Sequence, residues 1–170
     1  MATATGKVFS HPFEKMAGAK IQHLKLTFCE HGDPTLRSEF ELVRQCRDLR
    51  SLVWINPACE LDNVDQAPTF TLEVQTGRWP FLESLNLSIP YLQDKELETI
   101  IRSTVRPLRE MTVQGSSFGM LAGEALLESD GGRHVKRLEI LKIPQARHAD
   151  GDFLQKVLCS SPKLFTLHDG

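Results

Sequence analysis

One short pattern returns along the chain and restricts its fold more than any other feature. An apolar residue is followed by two variable residues, a second apolar residue, one variable residue and a third apolar residue. The instances are IQHLKL (21–26), LRSLVW (49–54), LESLNL (82–87), LREMTV (108–113) and VKRLEI (135–140). A sixth, LFTLHD (164–169), keeps the first two anchors and loses the third. First anchors fall 28, 33, 26, 27 and 29 residues apart. So narrow a band is the signature of a stacked-repeat architecture.

Each interval has room for a helix. Ser38 and Glu41 form a capping box ahead of a segment whose Phe40 and Val43 share a face with Leu36. Asp94 can cap a helix carrying Leu97, Ile100, Ile101 and Thr104, which Pro107 stops. Ala122, Ala125 and Leu126 line one face before the DGG break at 130–132. Asp152 can cap a last helix with Phe153, Leu154, Val157 and Leu158 facing inward. One interval departs from this plan: TFTLEVQTG (69–77) alternates Phe70, Leu72 and Val74 with polar residues, which predicts a strand.

A strand-loop-helix unit of this size cannot bury its apolar face alone, so neighbours must stack and share a core. The predicted fold is α/β, a curved solenoid with a parallel β-sheet on the concave face and helices on the convex face. Residues 1–20 form an N-terminal capping segment, and 21–170 hold about six units, with the chain ending inside the sixth strand, as a fragment would. Side chains alternate along a strand, so the third and fifth positions of each motif face the open side. Those positions are His23, Lys25, Ser51, Val53, Ser84, Asn86, Glu110, Thr112, Arg137 and Glu139, then Thr166 and His168 in the sixth unit. They are mixed in charge and mostly small or polar, as a protein-docking surface would be, without a basic stripe or a carboxylate pair beside a candidate base.

Composition and the cysteine pattern fit an intracellular reading. The net charge is -2, which gives no electrostatic reason to expect nucleic acid or anionic membrane. No apolar run approaches the roughly 20 residues that span a bilayer. The first residues, MATATGKVFSHPFEKMAG, lack the apolar core of a secretory signal, and with two Lys, no Arg and one Glu they do not read as a transit peptide. Cys29, Cys46, Cys59 and Cys159 show no C-x-x-C spacing, so free thiols in the cytoplasm or nucleus are expected.

Three motifs carry a chemical alternative. Gly115-Ser116-Ser117-Phe118-Gly119 matches the G-x-S-x-G elbow of serine hydrolases, with Asp130 or Asp150 and His148 or His168 downstream in triad order. A strand before and a helix after would normally support an elbow, but every loop of a strand-loop-helix repeat has that context. Ser117 therefore reads as a turn residue, with a small serine hydrolase as the alternative. Cys29, His31 and Asp33 in CEHGD lack a fourth ligand for zinc, and His148 with Asp150 lacks the spacing of a calcium loop. No metal or cofactor is expected. Trp54 and Trp79 read as core residues.

The stretches CRDLRSLVW (46–54), GRWPFLESLNLS (77–88), RPLREMTVQGSSFG (106–119) and CSSPKLFTL (159–167) resemble the leucine-rich-repeat region of fungal F-box-like proteins, of the ribonuclease-inhibitor-like superfamily. The resemblance covers about 21–170. It rests on the C-x-x-L-x-x-L passage from helix to strand at Cys46 to Leu52, on a matching passage at Cys159 to Leu167, and on Trp79-Pro80 before a strand. It implies a leucine-rich-repeat-like solenoid that recognises a protein substrate for a ubiquitin ligase. Such proteins dock a Skp-type adaptor through an F-box. No L-P-x-E-x-L start occurs here, so that partner is implied only if an F-box lies outside this chain. A repeat fragment without a function of its own is the remaining reading.

Overall fold

The computed structural model describes residues 2–5, 20–27, 43, 45–55, 71–72, 74–77, 79–89, 92–113, 118–144, 146 and 151–168. Within them run β1 (Ala2–Thr5), β2 (His23–Thr27), β3 (Ser51–Ile55), β4 (Ser84–Ser88), α1 (Asp94–Ser103), β5 (Glu110–Val113), α2 (Met120–Glu128), β6 (Ile140–Lys142), α3 (Gly151–Ser160) and β7 (Thr166–His168). The protein is α/β. Its seven strands form one sheet in the order β1-β2-β3-β4-β5-β6-β7, each parallel to the next. The first strand lies inside the 1–20 segment, where no anchor motif announces it.

The motif fixes the register. Second anchors stand side by side across the sheet, from Leu24 to Leu52, Leu85, Met111, Leu141 and Leu167. A row of third anchors, Leu26, Trp54, Leu87 and Val113, runs parallel to it. All of these but Leu167 are buried, whereas the residues between them on each strand stay partly exposed. Apolar rows on one face and polar rows on the other are what a sheet covered on a single side requires. Trp54 is fully buried in this core, as expected.

A second device repeats at the strand entrances. The backbone carbonyl of Gln22 accepts hydrogen bonds from the N–H groups of both Arg50 and Ser51, at 2.7 and 2.9 Å. The carbonyls of Arg50, Glu83, Arg109 and Glu139 do the same for the pairs Glu83/Ser84, Arg109/Glu110, Glu139/Ile140 and Phe165/Thr166. This corrects one sequence reading. The fifth unit enters its strand at Leu138, so its motif is LEILKI (138–143) rather than VKRLEI (135–140). Val135 is buried in the turn before the strand, and Arg137 and Glu139 precede β6. Both frames satisfy the same pattern because VKRLEILKI places apolar residues at overlapping spacings.

The helices bury the faces their spacing predicts. Leu97, Ile100 and Ile101 of α1 and Ala122, Ala125 and Leu126 of α2 are buried in the common core. Gly123 is small because the Phe153 ring of α3 lies 3.1 Å from where a methyl would stand. α3 departs from expectation: only Val157 is buried, Phe153 and Leu154 are half-buried, and Leu158 is 56% exposed. Asp152 sits inside its first turn rather than at the cap position. Thr71, Leu72, Val74 and Gln75 are helical, not a strand. Thr71 and Val74 are buried three positions apart while Leu72 is exposed, so helical packing overrides the alternating pattern. The Ser38–Glu41 capping box lies outside the described residues.

Polar groups tie the turns to their neighbours. Trp79 is buried, and its indole N–H donates to the carbonyl of Val43 at 2.9 Å. The Arg133 guanidinium donates to the carbonyls of Arg102, Thr104 and Val105 at the end of α1. Next to it, His134 is fully buried, and its Nδ1 accepts the Leu108 N–H at 3.1 Å just before β5. An acceptor at Nδ1 puts the proton of the neutral ring on Nε2. Burial first, then the adjacent Arg133 charge, lowers the His134 pKa from 6.5 to about 4, against a weaker opposing pull from the Ile101 carbonyl and Asp130.

Because the folded form holds this imidazole neutral, its contribution to stability is complete above pH 6.5. It is lost as the pH falls from 6.5 through about 4, where only the unfolded chain takes up the proton. Chemical denaturation across that window is expected to show up to about 3 kcal/mol of lost stability from this group. His134→Asn, which keeps an acceptor but cannot titrate, should flatten that part of the profile. An unchanged slope in the variant would refute the assignment.

Candidate functional site

The open face of the sheet is built from residues between the buried anchors. Its first row, at the starts of the strands, runs His23, Ser51, Ser84, Glu110, Ile140 and Thr166. The second runs Lys25, Val53, Asn86, Thr112, Lys142 and His168. Neighbours in a row are about 4.8 Å apart, the spacing of paired strands. Ten of the twelve expected positions therefore lie together on one surface. Arg137 and Glu139 do not, and their places are taken by Ile140 and Lys142, a consequence of the shifted fifth motif. Hydrogen bonds cross the first row: Ser51 Oγ donates to Ser84 Oγ at 3.3 Å, and Ser84 Oγ donates to Glu110 Oε2 at 2.9 Å. Short side chains, Ser51, Val53, Ser84, Asn86 and Thr112, predominate in the middle of this face.

A charged row borders this face at the strand entrances, and it was not among the expected site residues. It consists of the second motif positions: Gln22, Arg50, Glu83, Arg109, Glu139 and Phe165. Glu83 Oε1 accepts from Arg50 Nη1 at 3.1 Å and from Arg106 Nη1 at 3.0 Å, while Arg109 Nη1 lies 3.9 Å from Glu83 Oε2. Arg109 grips Glu139 with two bonds, Nε to Oε1 at 3.1 Å and Nη2 to Oε2 at 2.7 Å. That bidentate pair holds the Glu139 carboxyl below and the Arg109 guanidinium above its ordinary range. Arg137 and Lys163 add their positive charges to the same effect on Glu139. The Arg106 guanidinium also lies 4.8 Å above the Phe81 ring, a cation–π contact. The alternating signs are visible in sequence once second positions are aligned, but the misplaced fifth motif reads Lys136 where the row has Glu139.

The G-x-S-x-G motif is described only at its end. Ser117 and residues 114–116 lie outside the described residues, whereas Phe118 and Gly119 are buried. Phe118 packs on Phe153, with ring centroids 5.5 Å apart. Gly119 meets the Asp94 carboxylate, which accepts from the N–H groups of Gly119, Leu121 and Ala122 at 2.9, 3.0 and 2.9 Å. Asp94 thus corrects another expectation. The cap of its own helix is Gln93, whose N–H donates to Glu96 at 3.0 Å, and Asp94 instead caps the neighbouring α2. A carboxylate on the free N–H groups of a helix start matches both their hydrogen-bonding needs and the helix dipole. A methyl at Gly119 would stand 2.5 Å from Asp94 Cγ. This glycine is accounted for by helix capping, without reference to a nucleophile.

Cys29, His31, Asp33, His148 and Asp150 lie outside the described residues. Among the described residues no group of three metal-ligating side chains occurs, and no helix is long and apolar enough to cross a membrane. Cys46 is buried, which raises its thiol pKa. Cys159 is exposed, and its motif does not superimpose on that of Cys46. Three residues before the anchor, where Cys46 stands relative to Leu49, the last unit has the buried Ser161. No protein-family model matches the chain, and no curated protein matches it either.

The cap leads to a double-mutant cycle. Asp94→Ala is expected to cost about 2 kcal/mol of stability, in the upper range for helix caps. Gly119→Ala should cost a comparable amount by displacing the carboxylate. Because both act on one contact, the double variant should lose at least about 1 kcal/mol less than the sum. Additive losses by urea denaturation would show that the two residues do not work together.

Proposed function

We propose that the chain is a leucine-rich-repeat-like curved solenoid whose open, concave sheet face binds a protein and performs no catalysis. The observation that carries this reading is the recurring strand entrance, in which five successive carbonyls each receive two N–H groups from the next unit. A sheet built that way stacks one unit on the next, and among the described residues the side chains between the buried anchors of β2 to β5 stay partly exposed. That face presents mostly polar side chains interrupted by Val53 and Ile140, with Lys25, Glu110 and Lys142 as its charges. A broad surface of this kind suits recognition of another protein.

The resemblance to fungal F-box-like proteins extends the proposal. On it, the repeats hold the substrate of a ubiquitin ligase, and a Skp-type adaptor joins only through an F-box outside these residues. Interaction proteomics on the intact gene product is expected to recover a protein partner that Asn86→Arg, at the centre of the face, releases. Recovery of the same partners with the variant would defeat the docking role. Absence of every ligase subunit would remove the ubiquitin part and leave a binding module.

The non-catalytic half of the proposal has its own test. A fluorophosphonate probe is expected to leave the protein unlabelled. Labelling that disappears in Ser117→Ala would establish the hydrolase alternative instead.

A further inference from the structure

The strand entrances carry a charge that the chain as a whole does not. The four residues preceding each of β2 to β7 together hold eight Lys or Arg and three Asp or Glu, an excess of five positive charges on a chain whose net charge is -2. The parallel sheet brings all six segments to one edge. Two of the three carboxylates there, Glu83 and Glu139, are held in ion pairs, too few to balance the cations. Glu83 alone is approached by Arg50, Arg106 and Arg109, and the only other carboxylate those arginines bind among the described residues is Glu139, held by Arg109.

The arginines are also pre-oriented. Arg50 and Arg106 each give a single Nη1 to the same oxygen of Glu83. A guanidinium has five N–H donors in a planar fork, so each keeps most of its donors for a second carboxylate. Their side chains remain 43% and 42% exposed, and that of Arg109 49%. Phe81 lies beneath Arg106, and Phe165 continues the row at 71% exposure, a large apolar side chain beside a charged strip.

We infer that this edge docks an extended acidic protein segment, its carboxylates on the arginine forks and an apolar side chain on Phe165. The inference rests on the reading of the chain as a protein-binding module, and it names the surface and the chemistry of the partner. Arg50 Nη1 and Arg106 Nη1 meet the same Glu83 oxygen at 3.1 and 3.0 Å, so their forks stand side by side. Side chains two residues apart on an extended chain share a face about 7 Å apart, so acidic residues two apart match these adjacent forks. A peptide can place neutral side chains against Glu83 and Glu139, which interrupt the row at alternate strands. A nucleic-acid backbone cannot, since its phosphates are continuous.

Display of random 12-residue peptides against the whole chain tests this. The expected selection is of peptides with acidic residues two apart and an aromatic or aliphatic residue to one side. A resynthesised winner should bind the Arg50→Ala/Arg106→Ala protein about tenfold more weakly and weaken with added salt. Arg50→Lys/Arg106→Lys, which keeps the charge and removes the forks, should fall between. Phe165→Ser should weaken binding independently, and circular dichroism melts confirm that each variant is folded.

Selection without acidic residues, no selection at all, or equal binding to the arginine variants would overturn the inference. So would tighter binding of a 20-nucleotide single-stranded oligonucleotide than of the selected peptide. Peptides released by Asn86→Arg and untouched by the rim variants would refute the rim as the site while leaving the open-face reading standing.

Discussion

Everything in this structure depends on one backbone contact, the carbonyl at the second motif position that takes two N–H groups from the following unit. It is made at Gln22, Arg50, Glu83, Arg109 and Glu139, whose side chains are neutral, cationic and anionic in turn. The contact is therefore independent of sequence at its own position and depends on the apolar anchors around it. Leu49, Leu82, Leu108 and Leu138 are buried immediately before it, and Leu52, Leu85, Met111 and Leu141 two residues after. Burial of those anchors sets the register, and the register brings each carbonyl to its two donors. A one-residue slip would turn the anchors to water and forfeit the bonds together.

Between strands, the chain closes its units with polar contacts that bridge rather than stay local. α1 is the clearest case. Its first residue, Asp94, caps α2, and the carbonyls at its end are taken by Arg133 from beyond α2. His134 then takes the N–H of Leu108, at the entrance to β5. A unit too small to bury its own face is held in this way at both ends of its helix by groups that belong to the next one. Such coupling makes neighbouring units cooperative, because unfolding either leaves buried donors or acceptors of the other unpaired.

What the sequence reveals and conceals follows from the same division. Anchor spacing is legible because each anchor is buried at a fixed place in a strand, and the expected open-face residues from His23 to Thr112 all lie where alternation puts them. The fifth unit is misread because Val135, Leu138 and Leu141 are all buried, and a pattern of burial alone cannot tell the turn before a strand from the strand. The 69–77 segment is misread for the opposite reason: its alternating residues include Leu72, which is exposed. Asp94 is visible as a helix-start residue, but the helix it serves is reached only through a contact 25 residues away in sequence. β1 is invisible because no anchor motif stands at Ala2–Thr5.

The charged edge shows how a function could reside where the repeat is indifferent. Since the shared carbonyl asks nothing of the side chain at its position, that side chain can take any identity without loss of fold. In this chain those positions alternate in sign and their neighbours add cations, so the pairing is incomplete by a margin that folding does not require. Exposed ion pairs of this kind contribute little to stability, roughly 0 to 1 kcal/mol each. Three arginines converging on one carboxylate, together with an exposed phenylalanine in the same row, are therefore poorly explained as devices for stability. They are well explained as one half of an interface, in which a second set of carboxylates supplies the balance that Glu83 and Glu139 leave unfinished.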